Sequence, residues 1–213
     1  MLTVLVTNTK GGCGKTTIAI NLAGAFANAS FKTVIADCDR QKSSLGWISR
    51  RPKGFPAIRA VNWAKDTSNL PAKTQRLVID APAALRRKQA EELVRMADVI
   101  ILPVLPSVFD ENTTSKFIST LEGMKPVRKG KRAVTVVGNR IRTNTLAAER
   151  LDEFLIGEGY TAVARLRDSQ FYPTTALGGL SLFDIKTKRA ANFLQDWRPL
   201  LAYIDQVTEE FDP

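Results

Sequence analysis

Five stretches of this chain are apolar and β-branched with almost no polar alternation: residues 2–8 (LTVLVTN), 33–39 (TVIADCD), 76–82 (RLVIDAP), 98–106 (DVIILPVLP) and 133–140 (AVTVVGNR). A strand with one face in water alternates; one without alternation is buried on both faces, which requires a parallel sheet covered by helices. Helical patterns separate the runs, at 15–29, 43–51, 85–96, 111–124, 146–157 and 184–208, and weaker strands are expected at 57–61 and 161–166. Short strands alternating with helices predict an α/β fold, a doubly wound, mostly parallel sheet flanked by helices. At 213 residues, one domain with a sizeable core is expected, spanning 1–213.

In such a fold, ligands bind at the carboxyl ends of the strands. Three chemically loaded segments fall there. The first run leads into Lys10, Gly11, Gly12, Cys13, Gly14, Lys15, Thr16 and Thr17; the second ends on Asp37 and Asp39; the third ends on Asp80, Ala81 and Pro82. Glycines let backbone N–H groups turn inward on phosphate oxygens, and a helix start adds its dipole. Lys15 is placed to reach the β- and γ-phosphates of a nucleotide, and the Thr16 hydroxyl to ligate Mg²⁺. Asp80, a lone carboxylate after a buried strand, suits the role of holding that Mg²⁺. Asp37 and Asp39 suit the orientation of water and support of the metal shell, or simply end a strand and cap the next helix. Cys13 occupies a loop position that accepts many residues.

The chain lacks His, which excludes Ser-His-Asp or Cys-His catalysis and every His-ligated metal site, and its two cysteines, Cys13 and Cys38, are too few for a disulfide framework or a Cys₄ site. No apolar run approaches the roughly 18–20 residues of a membrane span, and the N-terminus reads as a strand, not a leader peptide. A cytoplasmic protein is expected.

The KGGxGKTT form, with Thr9 where the usual first glycine belongs and an added Lys10, resembles the deviant P-loop of the ParA/MinD family of ATPases. The resemblance extends to Asp37-Cys-Asp39-Arg40-Gln41, with Arg40 in place of a proline, and to Asn139 in Val137-Gly-Asn-Arg140. It implies ATP and Mg²⁺ as cofactors, an ATP-dependent homodimer in which Lys10 crosses to the nucleotide of the other subunit, Asp39 as the water-positioning group, Asp37, Asp80 and Pro82 as switch residues, and Asn139 as the residue that recognises adenine. The length resembles the short branch of partition and positioning ATPases without a separate N-terminal DNA-reading domain.

Charge bears on the partner. Lys plus Arg number 31 against 21 Asp plus Glu, a formal net charge of +10. Residues 40–65 and 125–142 each carry seven Lys or Arg and no acid. A surplus of that size points to a polyanion, and scattered cations are how DNA is bound without regard to sequence. By analogy with the family, the contacts are expected mainly from Arg142, Arg165, Arg167, Lys186, Lys188 and Arg189, and the protein is expected on the nucleoid with a cargo adaptor that stimulates hydrolysis. Two other readings stay open. A membrane-bound spatial regulator of the MinD type needs a basic amphipathic C-terminal helix, whereas this chain ends on EEFDP. A metabolic enzyme on the same scaffold needs a substrate pocket, which the sequence neither reveals nor excludes.

Overall fold

The computed structural model describes residues 1–211; within the acidic end, the side chains of Glu210 and Phe211 and the whole of Asp212 and Pro213 lie outside the described residues. Seven strands form one sheet: β1 (Leu2–Val6), β2 (Thr33–Asp37), β3 (Ile58–Asn62), β4 (Arg76–Asp80), β5 (Val99–Val104), β6 (Ala133–Ile141) and β7 (Ala162–Arg167), in the order β3-β2-β4-β1-β5-β6-β7. All neighbouring pairs are parallel. The chain winds from the central β1 to one edge, returns at β4, then builds the other half from β5 outward. Every residue of β1, β2 and β5 is buried, whereas the edge strands β3 and β7 show exposed positions. The apolar runs are therefore the interior strands, and the two weak ones are the edges.

Period-2 alternation sorts the strand side chains into two cores. Val4, Val6, Ile35, Val78 and Ile101 face α1 (Lys15–Asn28), α2 (Ser43–Ser49) and α8 (Lys188–Phe211). Leu5, Val34, Leu77, Ile79 and Ile100 face α3 (Arg87–Met96), α4 (Val108–Gly123) and α6 (Leu146–Gly157). The three tryptophans are fully buried, and each indole N–H has an acceptor: Trp47 to the Leu180 carbonyl, Trp63 to Asn69 and Trp197 to the Tyr172 hydroxyl. Burying an indole costs little when its one donor is satisfied.

The structure departs from the sequence pattern in four places. Helix α4 begins at Val108 instead of residue 111, and the short helices α5 (Lys125–Arg128) and α7 (Phe171–Leu177) were not anticipated. The helix expected over 184–208 is in fact a 3₁₀ turn at Leu182–Asp184 followed by α8 from Lys188. Asp184 is the reason. Its carboxylate accepts from the Ser181 N–H and hydroxyl, closing the capping box of the 3₁₀ turn, from Asn28 of α1, and from both arms of the Arg51 guanidinium at 2.8 Å, just beyond α2; Thr187 caps α8 instead.

Burial alone would raise the Asp184 pKa, but the hydrogen bonds from Arg51, Ser181 and Asn28 outweigh it and hold the carboxyl below its usual value. Both partners of the Arg51 pair are buried. Asp184→Ala strands the guanidinium and is expected to cost about 3–5 kcal/mol in urea unfolding at pH 7. Because the folded pKa is depressed, the carboxylate's contribution is present above about pH 4 and is lost below it. The gap between wild type and variant should therefore narrow in acid, and a gap that does not depend on pH would contradict this account.

Candidate functional site

The loop after β1 is held from below. Asn8 is buried; its amide donates to the Pro103 carbonyl at 2.8 Å and its Oδ1 accepts the Lys10 N–H at 3.1 Å. Gly12 (φ 75°) and Gly14 (φ 97°) take left-handed backbone that side chains resist. A Cβ on Gly14 would also overlap the Asn139 amide nitrogen. That nitrogen donates to the Cys13 carbonyl at 2.8 Å. Asn139, which the resemblance linked to adenine, is 4% exposed and acts on the loop itself.

Helix α1 starts on Gly14 with no side-chain cap and no acid in its first turn. Its first N–H groups lack intrahelical acceptors and favour an anion. The Lys15 ammonium is buried within the loop, 2.9 Å from the Lys10 carbonyl and 3.9 Å from the Cys13 sulfur. Burial pushes the Cys13 thiol up against the weaker opposing pull of Lys15.

Two carboxylates face this loop from adjacent strands, since Asp37 and Asp80 are register partners at the ends of β2 and β4. Asp80 is 1% exposed; burial pushes its pKa up to about 7, opposed by hydrogen bonds from the Ser44 and Thr16 hydroxyls. The Ser44 hydroxyl donates to Oδ2, and Oδ1 is buried with no partner. A buried orphan acceptor is costly unless something else satisfies it. With the Thr16 hydroxyl beside it and Lys15 nearby, this oxygen donor set suits a small hard cation, whose charge would keep Asp80 ionised. The residues present fit Mg²⁺.

Asp37 is fully buried, and burial raises its pKa against N–H groups from Leu45 at 3.0 Å and Asp39 at 3.0 Å that favour the anion. It shapes the 38–45 segment. Asp39 is half-buried and accepts the Gln41 N–H at 2.9 Å in a tight turn. It lines a cleft of about 790 Å³ together with Arg40, Trp63, Pro82 and Arg86. Pro82 thus sits on the same rim as Asp39, two residues after Asp80.

The family model for the CobQ/CobB/MinD/ParA nucleotide binding domain matches residues 4–160. The chain belongs to this family. The Gloeobacter kilaueensis protein named maintenance of carboxysome distribution protein A is 29% identical over 222 residues, covering 95% of this chain and 94% of that protein. Among solved structures, the MinD cell division protein of Aquifex aeolicus superposes with a TM-score of 0.71 at 19% identity, over 95% of this chain and 98% of its own. A plasmid partition protein of Borrelia burgdorferi bound to AMPPNP gives 0.71 at 15%, over 95% and 99%.

Lys10 is the added lysine of this loop. Its ammonium lies 2.6 Å from Asp110, a buried carboxylate in the first turn of α4, while the lysine remains 40% exposed. Sequence reading missed Asp110, Ser44 and Asn8. Only Asn8, a polar residue ending a buried run, carried a signal; Asp110 meets Lys10 from 100 residues away in sequence, and Ser44 meets Asp80 from 36.

Three of the basic candidates turn out to be paired with acids: Arg142 with Asp168 at 2.9 Å, Arg165 with Asp152 at 2.8 Å and Arg167 with Asp196 at 2.6 Å. Arg189 lies over the Phe171 ring at 5.1 Å, and Lys186 and Lys188 are exposed. Lys125, Arg128, Lys129 and Lys131, around α5, are exposed and take part in no ion pair among the described residues.

Proposed function

We propose that this protein is a ParA-type ATPase that dimerises on ATP, binds DNA without sequence preference and positions a cargo, hydrolysing ATP slowly until a partner protein stimulates it. The observation that carries this reading is one edge of one sheet holding a phosphate-shaped loop with Lys15, an orphaned Asp80 oxygen beside Thr16, and the partly exposed Lys10. Lys15 and the α1 N-terminus bind the β- and γ-phosphates, and Thr16, Asp80 and Asp39 hold Mg²⁺, directly or through water. The metal neutralises phosphate charge that would otherwise build up in phosphoryl transfer. Asp39 orients the attacking water, and Asp37 keeps its turn in shape. The Asp80–Pro82 segment relays nucleotide state toward α3. Lys10 leaves Asp110 to reach the nucleotide of the second subunit. The likeness to a carboxysome distribution protein across nearly both lengths favours a bacterial microcompartment or similar body as cargo. The site of action is the cytoplasm, on the nucleoid.

The likeness to MinD is one of fold, and no helix among the described residues is long and apolar enough to cross a membrane. Surface attachment is tested alongside DNA. Binding to one random-sequence duplex is measured across a salt series with ATP and with ADP, and to anionic liposomes in parallel. ATP-dependent DNA binding that falls steeply with salt is the expected result. Lys10→Ala should still bind ATP as a monomer yet fail to dimerise, and so lose most DNA binding, because two basic surfaces on one body raise the effective concentration of the second. Arg165→Glu/Arg167→Glu tests the β7 cations. An unchanged affinity there moves the contact to the unpaired cations around α5. Equal DNA binding with ADP and ATP, or binding to liposomes only, would refute the proposal.

A further inference from the structure

A groove of about 870 Å³ runs between α3 and α4 on the face opposite α1. Its floor is apolar, built by Leu85, Ala90, Phe117 and Met124. Its walls carry Arg87, Arg95, Lys116 and Lys125, and the acid among them, Glu91, is engaged by Arg87 at 3.1 Å. Arg95, Lys116 and Lys125 are exposed and have no acidic partner among the described residues. An apolar trough between cationic walls is the complement of a segment with apolar residues on one side and carboxylates on its flanks. Arg87 and Arg95 are about 12 Å apart along α3 at 1.5 Å per residue. That spacing matches carboxylates two helical turns apart on a peptide better than it matches a single small anion. Nucleic acid fits the walls but leaves the floor unused.

The groove's ends bear on the nucleotide site. Thr9, next to Lys10, lines one end; α3 follows the Asp80–Pro82 segment, and the first turn of α4 carries Asp110, which holds Lys10. A wedge between these helices therefore presses on both elements that respond to nucleotide.

We propose that the α3–α4 groove is the docking site for an acidic amphipathic segment of the ATPase-stimulating partner; the partner's stimulating role rests on the function proposed above, whereas the binding itself does not. The probe is a fluorescein-labelled 18-residue amphipathic peptide of Leu and Glu, with a counterpart carrying Lys for every Glu. Anisotropy titrations at moderate salt should show the acidic peptide binding and the basic one failing to bind. Arg95→Glu/Lys116→Glu should weaken the acidic peptide by at least about tenfold, since two exposed attractions become repulsions, and should let the basic peptide bind. Thr120→Trp, an exposed position on the groove wall, should weaken binding of the acidic peptide by filling the trough without changing any charge. Basal ATPase and fluorescent-ATP binding should be unchanged in both variants. Equal binding of the two peptides, indifference to both substitutions, or competitive displacement of the acidic peptide by a random 24-bp duplex would overturn the assignment. Peptide binding by a protein that fails to hydrolyse ATP would sink the function proposed above and leave the groove standing.

Discussion

Lys15→Ala is expected to lower ATP affinity by about two to three orders of magnitude with the fold intact. The ammonium is 7% exposed and makes its hydrogen bond within the loop, to the Lys10 carbonyl, so it stands where phosphate charge must be met. Charge-assisted bonds of this kind contribute roughly 1.5–3 kcal/mol each, and removing the cation leaves at least two phosphate contacts unmade in a partly dry site. The loop keeps its shape because Asn8 and Asn139 support it independently of Lys15. Titration with a fluorescent ATP analogue, with circular dichroism as the check on folding, decides the matter. Wild-type affinity in this variant would remove the basis for the phosphate-binding reading of the whole loop.

Asp39→Ala should separate binding from turnover. We expect ATP affinity to change by no more than a few-fold while the single-turnover hydrolysis rate falls by about 10²-fold or more, the usual loss when a water-positioning group is removed. Asp39 is half-buried on the rim of its cleft, and its carboxylate accepts the Gln41 N–H through Oδ1. Its other oxygen is thus available to a water. Asp37 is a poorer candidate, being fully buried with both oxygens receiving backbone N–H groups. An undiminished rate in Asp39→Ala would nevertheless pass the role to Asp37. If the trapped state also retains DNA in the presence of ATP, hydrolysis is the release step of the proposed cycle.

These two predictions differ because Lys15 and Asp39 stand differently in the fold. Lys15 is defined by its neighbours in sequence: glycines on one side, a helix start on the other, and a buried strand before both. Local rules suffice to place such a group, because the loop's geometry comes from the φ > 0 positions at Gly12 and Gly14 and from the dipole of α1. Asp39 is placed by the end of β2 but aimed by the turn through Gln41, and Arg40 in that turn supplied no sequence signal for its geometry.

What the sequence by itself determined is the sheet and the edge on which the chemistry sits. Unalternated apolar runs can be satisfied only by burial on both faces, and parallel strands carry all their carboxyl ends to one side, so Gly11–Thr17, Asp37, Asp39 and Asp80 had to converge. What only the tertiary structure decided is how each polar group is satisfied. The pairing of Lys10 with Asp110, of Ser44 with Asp80, of Asp184 with Arg51, and of Arg142, Arg165 and Arg167 with their acids joins residues from 13 to 133 positions apart. A charged side chain satisfies itself with whatever the fold brings within hydrogen-bond reach. Hydrophobic periodicity reports which face a residue takes, but it carries no record of the neighbour that face will meet.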